Sequence, residues 1–265
     1  MTTKQPNLTF DKVYYRLIFV GRDMNIGKIK KRVILIDEIR GICIILMLVY
    51  HFSFDINLSI LDNPILIILR NIVAGIFILI SGISCNFSGS NFKRGLRCLF
   101  IAILITIITY FILPTDFIIF GILHMLGISM ITYAFLKNLL NKINSYFLMS
   151  ILLLLFIITW NISNGYIGIM PFSISYDLKI LKMLIPFGFI NSSFSSVDYF
   201  PLFPWVFIFL FGTTLGSIRD INNFPAFMYM QRSKVLSFCG KNTLIIYMIH
   251  QPIFYCVFLI VEKII

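Results

Sequence analysis

The stretch that decides the fold is residues 33–56, VILIDEIRGICIILMLVYHFSFDI, an apolar run that carries four ionisable side chains on one side. A run of this length can cross the roughly 30 Å hydrocarbon core of a bilayer as a helix. At about 100° per residue the four side chains fall within an arc of roughly 60° and form one stripe. They are Asp37, Arg40, His51 and Asp55. Because an ionisable group in hydrocarbon costs about 2.5 to 3.5 kcal/mol, the stripe predicts a functional site.

Composition extends this interpretation to the whole chain. Of its 265 residues, 59% are hydrophobic and 12% are charged, which lies outside the range of soluble proteins. We predict an all-α fold, a polytopic transmembrane helical bundle of about seven spans, with a basic segment at residues 1–32 and a single transmembrane domain at 33–260. The predicted spans are about 33–56, 64–85, 96–113, 117–136, 145–162, 200–218 and 236–260.

Lys and Arg are distributed unevenly about these spans. A cytoplasmic N-terminus places sixteen of them on cytoplasmic segments, eight before residue 33 and eight later, against three on the opposite face. Basic residues accumulate on the cytoplasmic side of membrane proteins, so the count predicts that orientation. The net charge of +11 is then mainly a topology signal with some attraction to anionic lipid. No motif indicates nucleic-acid binding.

The three histidines lie on different predicted spans at similar depth, in the outer half of the bundle. His51 is on span one, His124 on span four and His250 on span seven. Asp198 lies just before span six, and Gln251 follows His250. Since polar groups inside a membrane face protein or water, we predict that these side chains line one polar cavity.

Two further features of the chain are irregular. Pro252 lies inside the predicted seventh span, where it removes a backbone hydrogen bond and is expected to kink the helix. The external segment 161–199 is too long for a simple connection. Within it, residues 177–189 alternate charged and apolar side chains, which predicts an interfacial or re-entrant helix, either on the membrane surface or as a lid over a site.

His51 and Asp55, four residues apart, share one helix face and are close enough to form a hydrogen bond. A carboxylate would fix the imidazole tautomer and raise its basicity, which suits proton abstraction or nucleophilic attack. A buried pair that only satisfies itself is the structural alternative. No metal site is predicted, because the histidines lack the spacing of metal ligands. The five scattered cysteines are predicted to be packing residues.

A second polar group gathers at the predicted cytoplasmic ends of spans one, three and seven. Basic side chains and helix N-termini together favour phosphate groups, so this end predicts a mouth for an anionic donor. For each cation taken alone, topology and lipid headgroups are the alternative explanation. The predicted donor mouth comprises Asp37, Arg40, Lys93, Arg94, Lys241 and Asn242.

Several motifs occur in an order that resembles a known family. The run Ile36 to Gly41, followed by Tyr50-His51-Phe52, resembles the opening of the heparan-alpha-glucosaminide N-acetyltransferase catalytic-domain family in its short bacterial form. The resemblance covers about residues 32–256. Later matches are Phe77 to Gly82 with Ser84, Lys93-Arg94-Gly95, Phe120 to His124, Asp198 to Pro201 with Pro204-Trp205, and Gly240 to Leu244 leading to Tyr247 and His250-Gln251-Pro252.

The resemblance implies transfer of an acetyl group from cytosolic acetyl-CoA, across the membrane, to an amine or hydroxyl of an extracytoplasmic saccharide or envelope glycan. On that basis His51 would be the general base or acyl carrier, and Asp55 would orient it. His124, Asp198 and His250 with Gln251 would shape the acceptor cavity. Acetyl-CoA would be a co-substrate with no permanently bound cofactor, and the protein would be a multi-pass component of a bacterial plasma membrane.

Other functions stay open from the sequence alone. A proton-coupled transporter or channel could use the polar face of span one, although the chain lacks the internal repeat of many transporters. A non-enzymatic membrane partner could use the same groups only to hold its helices together. Direct and covalent transfer, the acceptor and any homo-oligomeric state are equally open.

Overall fold

The computed structural model describes residues 32–56, 63–112, 117–176, 182–190, 194, 196, 198–218 and 224–264, without the side chains of 54, 55, 182, 183, 255, 256 and 258–264. Across these residues the fold is helical. The α-helices are α1 Ile34–Ile56, α2 Pro64–Ile83, α3 Asn91–Ile112, α4 Ile122–Leu140, α5 Ser145–Thr159, α6 Leu202–Ile218, α7 Lys234–Lys241 and α8 Thr243–Ile264. Short 3₁₀ turns occupy Ser84–Phe87, Ile162–Asn164, Lys182–Phe187 and Ala226–Tyr229, and two strands are β1 Tyr166–Ile167 and β2 Ile174–Ser175.

Four helical segments in the described part of the chain are long and apolar enough to cross a membrane. They are Pro64–Phe87, Asn91–Ile112, Ile122–Leu140 and Ser145–Asn164. Large apolar side chains on these helices point away from the protein, as with Phe100 (68% exposed) and Phe111 (77% exposed) on α3. The chain is therefore a helical membrane protein, as predicted. The count of seven spans and the cytoplasmic N-terminus stay predictions.

The observed helix ends differ from the predicted spans where charged or extended residues begin a helix. Helix α3 begins at Asn91 rather than near residue 96, because the basic residues Lys93 and Arg94 belong to its first turns. Helix α4 begins later than predicted, at Ile122, since the extended backbone of Gly121 forms its N-cap.

The predicted seventh span, 236–260, is two helices that meet at Asn242. The backbone N–H of Asn242 donates to the carbonyl groups of Phe238 (3.1 Å) and Cys239 (3.2 Å), and its side-chain amide also donates to Phe238 (2.9 Å). These bonds end α7, and the chain turns into α8. Helix α8 then continues through Pro252, so the break in this region is at the asparagine.

The connection between α5 and α6 contains a small hairpin that the all-α prediction did not include. Strand β1 pairs with β2 in antiparallel register, with Tyr166 opposite Ser175. Of the predicted interfacial helix, residues 177–181 lie outside the described part. The remainder forms the 3₁₀ turn Lys182–Phe187 and ends at Gly188, whose φ of 105° favours glycine.

Helices α1 and α7 cross with their backbones in direct contact. A Cβ atom at Gly41 would lie 2.1 Å from the carbonyl oxygen of Leu236, and one at Gly240 would lie 1.7 Å from that of Asp37. Small residues permit such close approach between membrane helices. The buried Glu38 carboxylate adds a second tie, because it accepts the backbone N–H groups of Arg232 (2.7 Å) and Ser233 (2.8 Å) just before α7.

We predict that Gly240→Ala separates α1 from α7 and lowers the free energy of unfolding by at least about 2 kcal/mol, the typical cost of overpacking. Thermal unfolding of the purified protein in detergent measures the change. Gly75→Ala is the matched control, since a Cβ there meets only Trp205, at an ordinary 3.6 Å. In a helix interior alanine is normally more stabilising than glycine. A Gly240→Ala protein that is as stable as the wild type would therefore contradict the close contact.

Candidate active site

A cavity of about 200 Å³ lies between α1 and α2 and is mostly apolar. We call it the α1 cavity. It follows α1 from Cys43 to Ser53, about 15 Å at 1.5 Å per residue. Its polar lining is concentrated towards the end of the bundle where α1 finishes, which we call the His51 end. The side chains there include Tyr50, His51, Arg70, Asp198 and Tyr247.

Two of the three histidines meet at the His51 end. The ring centroids of His51 on α1 and His250 on α8 are 5.1 Å apart, and both side chains are buried. Nδ1 of His250 lies 2.5 Å from the carbonyl oxygen of Tyr247. A carbonyl only accepts, so this nitrogen carries the proton and the free Nε2 of a neutral ring is a base.

Two buried imidazole nitrogens in the described part of the chain have no hydrogen-bond partner. They are Nδ1 of His51 and Nε2 of His250. Buried polar atoms are nearly always paired, so two unpaired nitrogens on neighbouring rings mark a candidate functional site. The arrangement leaves both rings able to exchange a proton with a bound molecule.

Asp198 joins α4 to α8 beside these rings. Its carboxylate is 5% exposed and accepts hydrogen bonds from the Tyr247 hydroxyl and, at 3.3 Å, from the backbone N–H of Ile122. Ile122 begins α4, and the positive end of a helix dipole stabilises a carboxylate. The sequence placed Asp198 in the cavity but missed Tyr247 as its partner. A tyrosine inside an apolar span needs a hydrogen-bond partner for its hydroxyl, and this could have identified Tyr247 from the sequence.

The neighbouring segment is tied down by Tyr199, whose hydroxyl donates to the carbonyl of Ile185 at 2.6 Å. Burial raises the pKa of Tyr199 above its usual range, so the hydroxyl stays a neutral donor. This bond attaches the chain around Asp198 to the 3₁₀ turn Lys182–Phe187. The long connection therefore helps to position the carboxylate.

His124 is at the same end of the bundle but has a different environment. Its Nδ1 accepts the backbone N–H of Gly121 at 3.2 Å, and its Nε2 lies 3.4 Å from the hydroxyl of Thr106. That hydroxyl donates its own proton to the carbonyl of Ile118, so it accepts from Nε2–H. Both ring nitrogens are thus engaged in holding the beginning of α4.

The structure gives less information on Asp55 and Gln251, the other predicted site residues at this end. The backbone of Asp55 lies in the last turn of α1, and its side chain lies outside the described part. Gln251 follows His250 on α8 and is half-buried. Their proposed roles therefore stay predictions.

The opposite end of the α1 stripe holds a buried ion pair. Asp37 is 3% exposed and binds Arg32 through two contacts of 2.5 Å and 3.1 Å, with Arg40 at 3.8 Å. The hydrogen bond to Asp37 raises the pKa of Arg32. Arg94 of α3 lies near enough to Arg40 for their charges to repel, and it donates to the carbonyl of Ser84 at 3.4 Å. We call Asp37, Arg40 and Arg94 the Arg40 cluster.

The remaining residues of the predicted donor mouth do not join this cluster through described contacts. Lys93 and Lys241 are exposed. The amide of Asn242 caps α7. Their positions suit a surface role at the mouth, whereas the Arg40 cluster lies within the bundle.

Arg70 also lines the α1 cavity, although the sequence did not single it out as a site residue. Its guanidinium carbon lies 5.4 Å from the centre of the Phe200 ring, and it donates to the side chain of Asn71. An arginine inside an apolar run is rare and was the available signal.

A buried cavity that bears imidazole bases inside a helical membrane bundle is a candidate site for a membrane-embedded enzyme. The family model for the catalytic domain of heparan-alpha-glucosaminide N-acetyltransferase matches residues 32–252. The chain belongs to this family, which confirms the resemblance seen in the sequence and makes the protein a membrane transferase of acetyltransferase type. No curated protein and no solved structure gives a significant match.

We predict that His124→Ala destabilises the protein by about 1 to 3 kcal/mol, because it leaves the buried N–H of Gly121 without its acceptor. Thermal unfolding in detergent measures the loss. A double-mutant cycle with Thr106→Val isolates the bond at Nε2, and the two changes should be less than additive. Full additivity would contradict the bond at Nε2, and an unchanged unfolding temperature in His124→Ala would show that the ring does not hold α4.

Proposed function

We propose that this protein transfers acetyl groups from cytosolic acetyl-CoA to an amine or hydroxyl of an extracytoplasmic saccharide or envelope glycan. The observation that carries the proposal is the α1 cavity, which begins one helical turn from Arg40 and extends past His51. Family membership favours this reaction over a carrier or channel.

The donor is proposed to bind with its phosphates at the Arg40 cluster. Guanidinium groups form charge-assisted, often bidentate bonds to phosphate, and Asp37 neutralises only part of the local positive charge. Arg40 and His51 are separated by about 16 Å along α1. The long thioester arm of coenzyme A can bridge that distance between the apolar walls of the cavity.

His51 is proposed to act as the base at the other end. Its imidazole takes the proton of the acceptor amine or hydroxyl as that atom attacks the thioester carbonyl. A C–N or C–O bond forms, the C–S bond breaks, and the proton passes to the departing thiolate. Asp55, one turn further along α1, is the proposed orienting group.

A covalent route uses the same geometry. The imidazole of His51 would attack the thioester first, release coenzyme A and pass the acetyl group from nitrogen to the acceptor. Burial of both rings limits their contact with bulk water, which would slow hydrolysis of an acetyl-imidazole. Labelled acetyl-enzyme after denaturation would favour this route, and its absence under single-turnover conditions would favour direct transfer.

We predict that His51→Ala lowers transferase activity by at least about 100-fold, the usual contribution of a general base. The assay follows release of coenzyme A thiol and acetylated product from the purified protein with acetyl-CoA and a saccharide panel. Tyr110→Phe, an exposed position on α3, is the control and should keep wild-type activity. Full activity of a folded His51→Ala protein would remove this residue from the mechanism.

We predict that Arg94→Gln raises the KM for acetyl-CoA by about 10-fold or more with a smaller change in kcat, because a charged hydrogen bond contributes about 1.5 to 3 kcal/mol. Arg97→Gln, on the same helix but exposed, is the matched control. Equal KM values for the two variants would contradict a donor site at the Arg40 cluster.

A further inference from the structure

Arg70 and His51 lie at the same depth of the bundle. Helix α1 finishes and α2 begins at the His51 end, with Arg70 six residues after Pro64 and His51 five residues before Ile56. At 1.5 Å per residue each is about 8 to 9 Å from its helix end. Both side chains line the α1 cavity. A molecule bound beside the imidazole of His51 is therefore within reach of a guanidinium.

Arg70 forms no ion pair with any carboxylate that the structure describes. Its Nε and Nη2 atoms donate to Oδ1 of Asn71, at 3.3 and 3.2 Å, and the group lies over the Phe200 ring. An amide and an aromatic ring hold the guanidinium in place without cancelling its charge. The ion pairs among described residues all involve Asp37 at the other end.

The described carboxylate that lines the cavity with Arg70 has other partners. Asp198 accepts the Tyr247 hydroxyl and the Ile122 N–H, and no ion pair joins it to Arg70 among the described residues. A guanidinium has five N–H donors, of which Asn71 takes two. The remaining donors can form the two-pronged contact that matches a carboxylate or a phosphate.

We propose that Arg70 binds a carboxylate or phosphate group of the acceptor, so that the acceptor is an acidic saccharide or a sugar phosphate. The inference rests on the proposed function, which assigns the coenzyme phosphates to the Arg40 cluster at the opposite end. The thioester that reaches His51 carries no charge. The anion that complements Arg70 is then a part of the acceptor, and it orients the nucleophile towards His51.

The experiment compares binding of glucosamine 6-phosphate and glucosamine to the full-length protein in detergent, without donor, at constant ionic strength. Intrinsic tryptophan fluorescence is a suitable signal, because the Trp205 ring is 5.4 Å from Phe200. We expect the wild type to bind the phosphorylated sugar at least 10-fold more tightly. Arg70→Gln should abolish this preference, Arg70→Lys should keep part of it, and the control Arg97→Gln should keep all of it.

Equal affinities in the wild type, or a preference that survives in Arg70→Gln, would overturn the proposal. If Arg70→Gln does not fold, a preference unchanged in Arg70→Lys would overturn it too, because lysine lacks the guanidinium fork. With acetyl-CoA added, Arg70→Gln should lower kcat/KM at least 10-fold for the phosphorylated sugar and change it less than 3-fold for glucosamine. An equal loss of kcat/KM for the two sugars would instead indicate that Arg70 acts on the reacting carbonyl, which would refute the proposal.

Failure of the proposed function gives a different result. If the wild type transfers no acetyl group yet discriminates between the two sugars through Arg70, the anion site stands and acetyl transfer is wrong. If the wild type transfers acetyl groups but does not discriminate between the two sugars through Arg70, acetyl transfer stands and the anion site is wrong.

Discussion

The architecture depends on the contact of α1 with α7, where two glycines let the helix backbones touch. Gly240 lies against the carbonyl of Asp37, and Gly41 against that of Leu236. The buried carboxylate of Glu38 binds backbone N–H groups just before α7, which supplies hydrogen bonds that a short helix lacks at its N-terminus. With α7 fixed in this way, the turn at its end directs α8 back along α1. That return path carries His250 to the His51 ring.

The polar groups at one end of the α1 stripe are paired, whereas some of those at the other end are not. At one end the Asp37 carboxylate is paired with two guanidinium groups, as a buried charge requires. At the other end, His51 and His250 each retain a buried nitrogen that has no hydrogen-bond partner among the described residues. Such nitrogens are costly in a folded protein unless a ligand uses them. The apolar cavity begins at Cys43, one turn beyond Arg40, and extends to the His51 end, so the same helix carries the ion pair and the proposed site of proton transfer.

Much of the fold could be predicted because membrane spans leave a strong local signal. The stripe on α1 and the meeting of His51 with His250 followed from helical periodicity and alternating topology. The break at Asn242 did not, because residues 236–260 are mainly apolar with a single charged residue, and Pro252 was the more obvious irregularity. His124 was assigned to the cavity from its predicted depth and from the family resemblance, whereas its ring nitrogens hold the N-terminus of α4.

By itself, the sequence determined that this is a helical membrane protein of the acetyltransferase family, because hydrophobic length and ordered motifs are properties of the chain. The tertiary structure decided which polar groups share a cavity. Arg70 reaches the His51 end because α2 packs along α1, and the Tyr247 hydroxyl binds Asp198 because α8 packs against α1. These pairings join residues far apart in sequence, and their distances depend on helix crossings that local periodicity does not encode. Whether a buried polar atom is satisfied or free is likewise a property of the folded bundle.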